Sequence, residues 1–252
     1  MGSASVCDAF VATLLEKSRG IIKRAFGVDY RLSSAAPFLQ SNPFPAALID
    51  ALSGYFYLVK GLGFEPKNII VEGISAGGHL AISLVRYLNH ASIPGLCRPG
   101  GLLLISPTGD WGGTHDGLDS SLERNKSFDF VYHFLKSGYS ARALLGKLPV
   151  ERLCQSPWLS PASKEINPFE GNFKMFPKTC VLAGGVEVGL DQIKTLRDRI
   201  ITDNNPSTLL YLEYPDAIHV FPLIAWHEPE RSEAVAACSI WMKELCEWSL
   251  GF

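Results

Sequence analysis

Apolar positions along this chain follow two periods that alternate. Residues 10–17 place apolar side chains at helical spacing. Residues 21–28, with Ile21, Ile22 and Phe26, form a short apolar run that reads as a strand. Residues 45–61 begin with a proline and continue as a broad apolar stripe through Leu48, Leu52, Tyr55 and Val59, the pattern of a helix that buries one face. Residues 68–72 are β-branched and apolar, as expected of a strand covered on both sides, and a glycine-rich turn follows. A helix is then expected over 79–89, strands over 101–106 and 179–183, a helix over 190–201, a strand over 208–214 and a last helix over 229–250. Strands alternating with helices predict an α/β fold, a mostly parallel central sheet flanked by helices.

The rhythm breaks between residues 108 and 176, where Gly, Pro, Trp and polar clusters replace it, with helical character near 128–145. Such a stretch is too long for a simple connection. It is expected to be an insertion over the strand ends, a cap within one domain spanning 1–252. No internal repeat or low-complexity segment interrupts the chain.

Composition narrows the picture. Of 252 residues, 47% are hydrophobic and 19% charged, enough apolar content for a substantial core. A formal net charge of −2 without a basic run argues against nucleic acid as a partner. No apolar stretch reaches the roughly 20 residues needed to span a bilayer, and the first residues lack the pattern of a signal peptide. The six cysteines, Cys7, Cys97, Cys154, Cys180, Cys238 and Cys246, show no metal-binding spacing. Several lie in apolar runs and are expected as reduced core residues, which points weakly to a cytoplasmic location.

Candidate chemistry centres on Gly73-Ile74-Ser75-Ala76-Gly77, a G-x-S-x-G sequence between a predicted strand and a predicted helix. A serine on a sharp strand-to-helix turn projects its hydroxyl above the sheet. Gly73 and Gly77, two residues before and two after it, are expected to let strand and helix approach closely. The Ala76 amide at the helix start would face a developing oxyanion. A serine hydroxyl needs a base, and the base an orienting carboxylate. His219 directly follows the last predicted strand and is the preferred base, with His227 as fallback. His115 and His133 lie in the irregular middle, and His79 is expected to pack or face solvent. Glu187, in the loop after the 179–183 strand, is the preferred acid. Asp191 is the alternative acid, or a cap for the helix over 190–201.

Gly73-Ile74-Ser75-Ala76-Gly77-Gly78 resembles the GDSAGG signature of the hormone-sensitive-lipase-like carboxylesterases, the fold-3 branch of the α/β-hydrolases. Other segments agree in order. Asp29-Tyr30-Arg31-Leu32 and Pro43-Phe44-Pro45-Ala46-Ala47-Leu48 are similar to DYRLAPEHPFPAAL. Ser106-Pro107 resembles the start of SPW, and Arg124-Asn125 with Asp129-Phe130 the stretch that follows. Ser156-Pro157-Trp158-Leu159-Ser160-Pro161, the loop from Gly185 to Asp191, and Asp216-Ala217-Ile218-His219-Val220-Phe221 match further motifs. The resemblance implies an α/β-hydrolase fold with a small lid. It implies a serine esterase of short to medium acyl chains, working through an acyl-enzyme, without metal or other cofactor.

Two departures stand out. Ile74 replaces the signature's aspartate. The HGGG loop, whose amides complete the family's oxyanion hole, has no counterpart, because Gly2-Ser3 already corresponds to the region just after it. The N-terminal strands are expected to be missing with it. Three accounts follow: a fragment of a longer active esterase, which is preferred, a short form with weak activity, or a non-catalytic relative that binds a ligand or partner. A nucleotide-binding or redox enzyme is disfavoured, since no G-x-G-x-x-G follows the first strand. The partner expected is a small-molecule ester. Aromatic residues Phe128, Phe130, Tyr132, Phe134 and Tyr139 suggest a pocket wall, although such a stripe is more often core.

Overall fold

The computed structural model describes residues 7–91 and 93–249. Its elements are helices α1 (Asp8–Lys17) and α2 (Ala46–Phe56), strand β1 (Ile70–Ile74), α3 (Ala76–His90) and β2 (Gly101–Ile105). Four short helices follow: α4 (Ser121–Arg124), α5 (Tyr132–Lys136), α6 (Tyr139–Leu145) and α7 (Arg152–Gln155). Then come β3 (Lys178–Gly184), α8 (Leu190–Asp203), β4 (Leu209–Tyr214) and α9 (Glu230–Ser249). One wider, π-helical turn, Tyr57–Gly61, extends α2. Leu250 and the Gly2-Ser3 segment lie outside the described residues.

The four strands pair in chain order, β1-β2-β3-β4, all parallel. Alternation sends their side chains to two covered faces. Leu102, Leu104, Val181 and Ala183 pack under α3 and α8 with Ile82, Val85, Ile193 and Leu196. Leu103, Ile105, Cys180 and Leu182 pack under α1 and α9 with Phe10, Val235, Cys238 and Trp241. Each such side chain taken from water contributes roughly 1.5–3 kcal/mol, which is why the strands read as continuous apolar runs. Helix α2 lies outside α3, burying Leu48, Ala51 and Tyr55 against Leu84 and Leu88.

Two expectations need correction. Residues 21–28 form no strand. Lys23 and Arg24 divide the apolar run, Phe26 is 47% exposed, and only Ile22 packs on the core. An extended segment becomes a strand only where a neighbour completes its ladder. The first strand begins at Ile70 rather than 68, because Pro66–Asn68 closes a 3₁₀ turn. Of the cysteines, Cys180 and Cys238 are buried, Cys97 is exposed and the other three are half-buried, and all six are free. No helix among the described residues is long and apolar enough to cross a membrane.

Parallel pairing in chain order has one consequence for chemistry. Ile74, Ile105 and Leu182 are register partners in turn, and Leu182 pairs with Leu212. Whatever follows the four strands therefore emerges along one edge of the sheet: Ser75 after β1, Ser106 after β2, Glu187 after β3 and His219 after β4.

Candidate active site

Ser75 joins β1 to α3 with φ +54° and ψ −118°. A non-glycine residue pays roughly 1–3 kcal/mol for such a backbone and keeps it only where its surroundings enforce it. Here the Ser75 amide donates to the Ile105 carbonyl at 2.9 Å, and its own carbonyl accepts from Thr108 N at 3.1 Å. Close packing of strand and helix adds to the constraint. A Cβ at Gly73 would collide with the Gly77 carbonyl and come within 2.8 Å of Ala81 Cβ. Gly77 takes part in this approach through its backbone, whereas the second position where a side chain is excluded is Gly78, against Pro107. A Cβ at Gly78 would lie 2.8 Å from Pro107 Cβ, whereas one at Gly77 would meet only the Tyr30 hydroxyl at 3.9 Å. Ala76 is the first residue of α3, so its N–H has no acceptor within the helix.

Ser75 and His219 are 144 positions apart, yet His219 Nε2 lies 2.8 Å from Ser75 Oγ. His219 Nδ1 lies 2.9 Å from Glu187 Oε2. A carboxylate only accepts, so Nδ1 carries the proton and Nε2 is left to accept from the serine hydroxyl. Glu187 is fully buried. Its Oε1 accepts from Ser106 Oγ at 2.7 Å and from Gly184 N at 2.6 Å. Burial alone would lower the pKa of His219. The hydrogen bond and charge of Glu187, with the charge of Asp129, outweigh it and hold the imidazole above its ordinary value.

The two loops that carry Glu187 and His219 touch through their backbones. Val186 N donates to the Ala217 carbonyl at 3.1 Å and Gly185 N to Tyr214 O at 2.7 Å. Side chains at Gly184 and Gly185 would strike the carbonyls of Ala217 and Pro215. Ser106 ties the loops from below: its hydroxyl donates to Glu187 and accepts from Val220 N at 2.9 Å. Ser75, Ser106 and Val220 all have positive φ, so backbone strain gathers at this one sheet edge.

The long segment between β2 and β3 holds the acid loop from the other side. Asp129 Oδ2 accepts from Val188 N at 2.8 Å, and Asn125 Nδ2 donates to the Glu187 carbonyl at 2.7 Å. Asp191 belongs to this clamp and not to the histidine. Its Oδ2 accepts from Ser121 N at 2.7 Å, and its amide donates to Ser121 Oγ at 3.0 Å. Asp191 is thereby placed in the first turn of α8 and committed elsewhere.

His79, His115 and His227 have partners of their own. His227 accepts from Ile218 N at 3.3 Å and pairs with Glu230 at 3.2 Å, bracing the loop of His219. His115 bridges Asp110 and Thr195 at 2.8 and 2.9 Å. His133 is exposed. His79 packs, with Nε2 2.8 Å from the Trp158 carbonyl. Burial pushes its pKa down to about 4, so it is a neutral ring beneath the site. Three residues of the aromatic stripe, Phe128, Phe130 and Phe134, are exposed and so not core. Phe128 and Phe130 are 65% and 61% exposed, and Phe130 meets His219 edge-on at 6.1 Å.

A recess opens beside Ala76, with Tyr30, Phe44, Leu80, Trp111 and Leu144 among its lining. It is largely apolar and would exclude water from whatever group it holds. Among the described residues no group of three or more His, Cys, Asp and Glu side chains converges to hold a metal ion. The arrangement can activate a hydroxyl by proton transfer to an oriented imidazole, next to an unpaired amide and an apolar recess.

Ser106, Asn125 and Asp129 fall in motif segments of the sequence, but nothing there assigned them a part in the site. Each acts across more than 55 residues of chain, with separations from Glu187 or Val188 of 81, 62 and 59. No local spacing could have exposed these contacts.

A model of the alpha/beta hydrolase fold family matches residues 1–223. An esterase of Acinetobacter venetianus is 27% identical over 199 residues, 79% of this chain and 57% of its own length. Esterase LipU of Mycobacterium tuberculosis is 24% identical over 219 residues, 86% of this chain and 66% of its own. The chain thus spans less than two thirds of either curated relative. A crystal structure of an esterase/lipase from an uncultured bacterium matches with a TM-score of 0.76 at 26% identity, over 98% of this chain and 73% of that one.

Proposed function

Because the chain belongs to the alpha/beta hydrolase fold family, we propose that it hydrolyses carboxylic esters with Ser75 as nucleophile, His219 as base and Glu187 as the orienting acid. The hydrogen-bonded relay Ser75–His219–Glu187, at 2.8 and 2.9 Å, carries this reading. The esterase relatives and the ordered set of motifs support it. Ser75 Oγ attacks the ester carbonyl as its proton passes to His219 Nε2. The Ala76 amide stabilises the oxyanion, and His219 returns the proton to the departing alcohol. Water, deprotonated by the same imidazole, then releases the acid from the acyl-enzyme. Residues 108–176 act as a cap: they hold the acid loop and supply Trp111 and Leu144 to the recess. That recess suits a short to medium apolar group.

A fluorophosphonate tests the assignment, since it reacts only with an activated serine. The expected result is one covalent adduct per chain, mapped by peptide mass spectrometry to Ser75, with p-nitrophenyl butyrate hydrolysis lost in step. A folded protein that binds esters but takes no adduct would instead be a binding module on a hydrolase scaffold.

Acid should silence the enzyme through His219. Only the neutral imidazole accepts the serine proton, and its pKa stands above the ordinary value of 6.5. The rate therefore falls as pH drops through a midpoint above 6.5, and a pH profile of kcat/KM measures that midpoint. A midpoint below 6.5 contradicts the environment described. The linked stability has the opposite sense: a raised pKa favours the folded state below the unfolded value, and this contribution is lost as pH rises through the folded one.

A further inference from the structure

Ser106, the residue after β2, is 1% exposed and makes two hydrogen bonds through its one side-chain oxygen. The Val220 amide can only donate, so Ser106 Oγ accepts there at 2.9 Å, and its single proton goes to Glu187 Oε1 at 2.7 Å. Glu187 Oε2 in turn accepts from His219 Nδ1 at 2.9 Å. Val220 follows His219 in the chain, so the four residues form a closed ring. Glu187 holds the imidazole directly, and the same carboxylate holds the backbone beside it through Ser106.

The ring closes on a strained link. Val220 has φ +53° and ψ +30°, a left-handed backbone that a β-branched residue rarely adopts. It precedes the short turn Phe221–Leu223, whose Phe221 is fully buried. On the other side of His219, the Ala217 carbonyl accepts from Val186 N at 3.1 Å. Core packing and the acid loop thus anchor the chain at residues 217 and 221. Between these anchors, the N–H of the peptide joining His219 to Val220 donates to Ser106 Oγ. Ser106 is itself tied to the sheet, because its amide donates to the Leu182 carbonyl at 2.9 Å and extends the β2–β3 ladder.

Resting on the ester-hydrolase reading of Ser75, we infer that Ser106 is a positioning residue of the reaction: its hydroxyl holds Val220 in the left-handed conformation and thereby keeps His219 Nε2 within reach of Ser75 Oγ. Without the hydroxyl, the Val220 amide loses its acceptor and the left-handed backbone loses what offsets its cost. The loop can then relax and turn Nε2 away from the nucleophile. Glycine adopts positive φ without that cost, so with Val220→Gly the conformation no longer depends on Ser106. Ser106 is too deeply buried to meet a substrate, so its loss acts on the relay and not on binding.

A double-mutant cycle of Ser106→Ala and Val220→Gly in the full chain tests this. Rates with p-nitrophenyl butyrate are counted per serine titrated by a fluorophosphonate, so that misfolded chains drop out. Ser106→Ala alone is expected to lower kcat on the order of 10²-fold, the scale of a misplacement of about 1 Å, with KM little changed. Made in the Val220→Gly background, the same substitution should lower kcat at most about fivefold. An equal loss in both backgrounds overturns the inference, as does a folded Ser106→Ala variant with wild-type kcat. If circular dichroism shows Ser106→Ala unfolded, Ser106→Cys takes its place in the cycle, since a thiol donates only weakly. The downfield proton resonance of the His219–Glu187 hydrogen bond reads the same positioning without turnover. It should vanish in Ser106→Ala and return when Val220→Gly is added, and a resonance that Ser106→Ala leaves unchanged also overturns the inference. Failure of the esterase reading appears separately, as a wild-type chain that shows this resonance but no Ser75-dependent hydrolysis.

Discussion

Replacing Ser75 by alanine is expected to lower kcat for p-nitrophenyl acetate by on the order of 10⁴–10⁶-fold, the scale seen when the nucleophile of a serine–histidine–acid relay is removed. The hydroxyl is the only part of Ser75 that reaches His219, and the methyl left behind can neither attack nor pass a proton. Folding should be nearly unaffected. Alanine tolerates the positive φ as poorly as serine does, so the strain is the same before and after. The backbone bonds to Ile105 and Thr108 persist, and the side chain loses one hydrogen bond, about 0.5–1.5 kcal/mol. Initial rates and thermal melts of both proteins check the two halves of this expectation. A well-folded variant that keeps a tenth of wild-type activity removes Ser75 from the nucleophile's role.

The strands were legible because each is a continuous apolar run, and a parallel sheet covered on both faces demands that pattern. Residues 101–106 and 179–183 were placed almost to the residue for this reason. Residues 21–28 misled because apolar content marks burial, while a strand also needs a hydrogen-bonding neighbour, which no local pattern reveals. The serine turn was legible through small residues whose need is steric and local at Gly73, although the glycine after it that excludes a side chain is Gly78, against Pro107 beyond β2, and not Gly77. Choosing between Glu187 and Asp191 was harder. Both sit in one loop, and their difference lies in what faces them: His219 and Ser106 across the sheet edge for one, Ser121 of the long insertion for the other. The clamp made by Asn125 and Asp129 exists only once the chain is folded.

Glu187→Gln is expected to cost on the order of 10⁴-fold in kcat, as loss of the orienting carboxylate does in comparable relays, while Asp191→Asn should change kcat by no more than a few-fold. The geometry explains so large an effect from an isosteric change. The Gly184 amide can only donate, and it points at Oε1 together with the Ser106 hydroxyl. The glutamine oxygen must therefore occupy that position, which turns the NH₂ group toward His219 Nδ1. A donor facing Nδ1 forces it to accept, so the ring proton moves to Nε2. Nε2 then faces Ser75 as a donor and can no longer take its proton. Removing the negative charge also withdraws much of what holds the imidazole pKa up, so the residual activity of the variant should lose its acid limb at lower pH than the wild type. Asp191 accepts from the Ser121 amide and pairs with Arg124 at 3.3 Å, at an exposed rim, so its neutralisation should weaken the clamp slightly and leave the tautomer alone. Steady-state rates across pH for the three proteins decide between the acids. Equal losses in both variants, or a larger loss at Asp191, would take the orienting role away from Glu187.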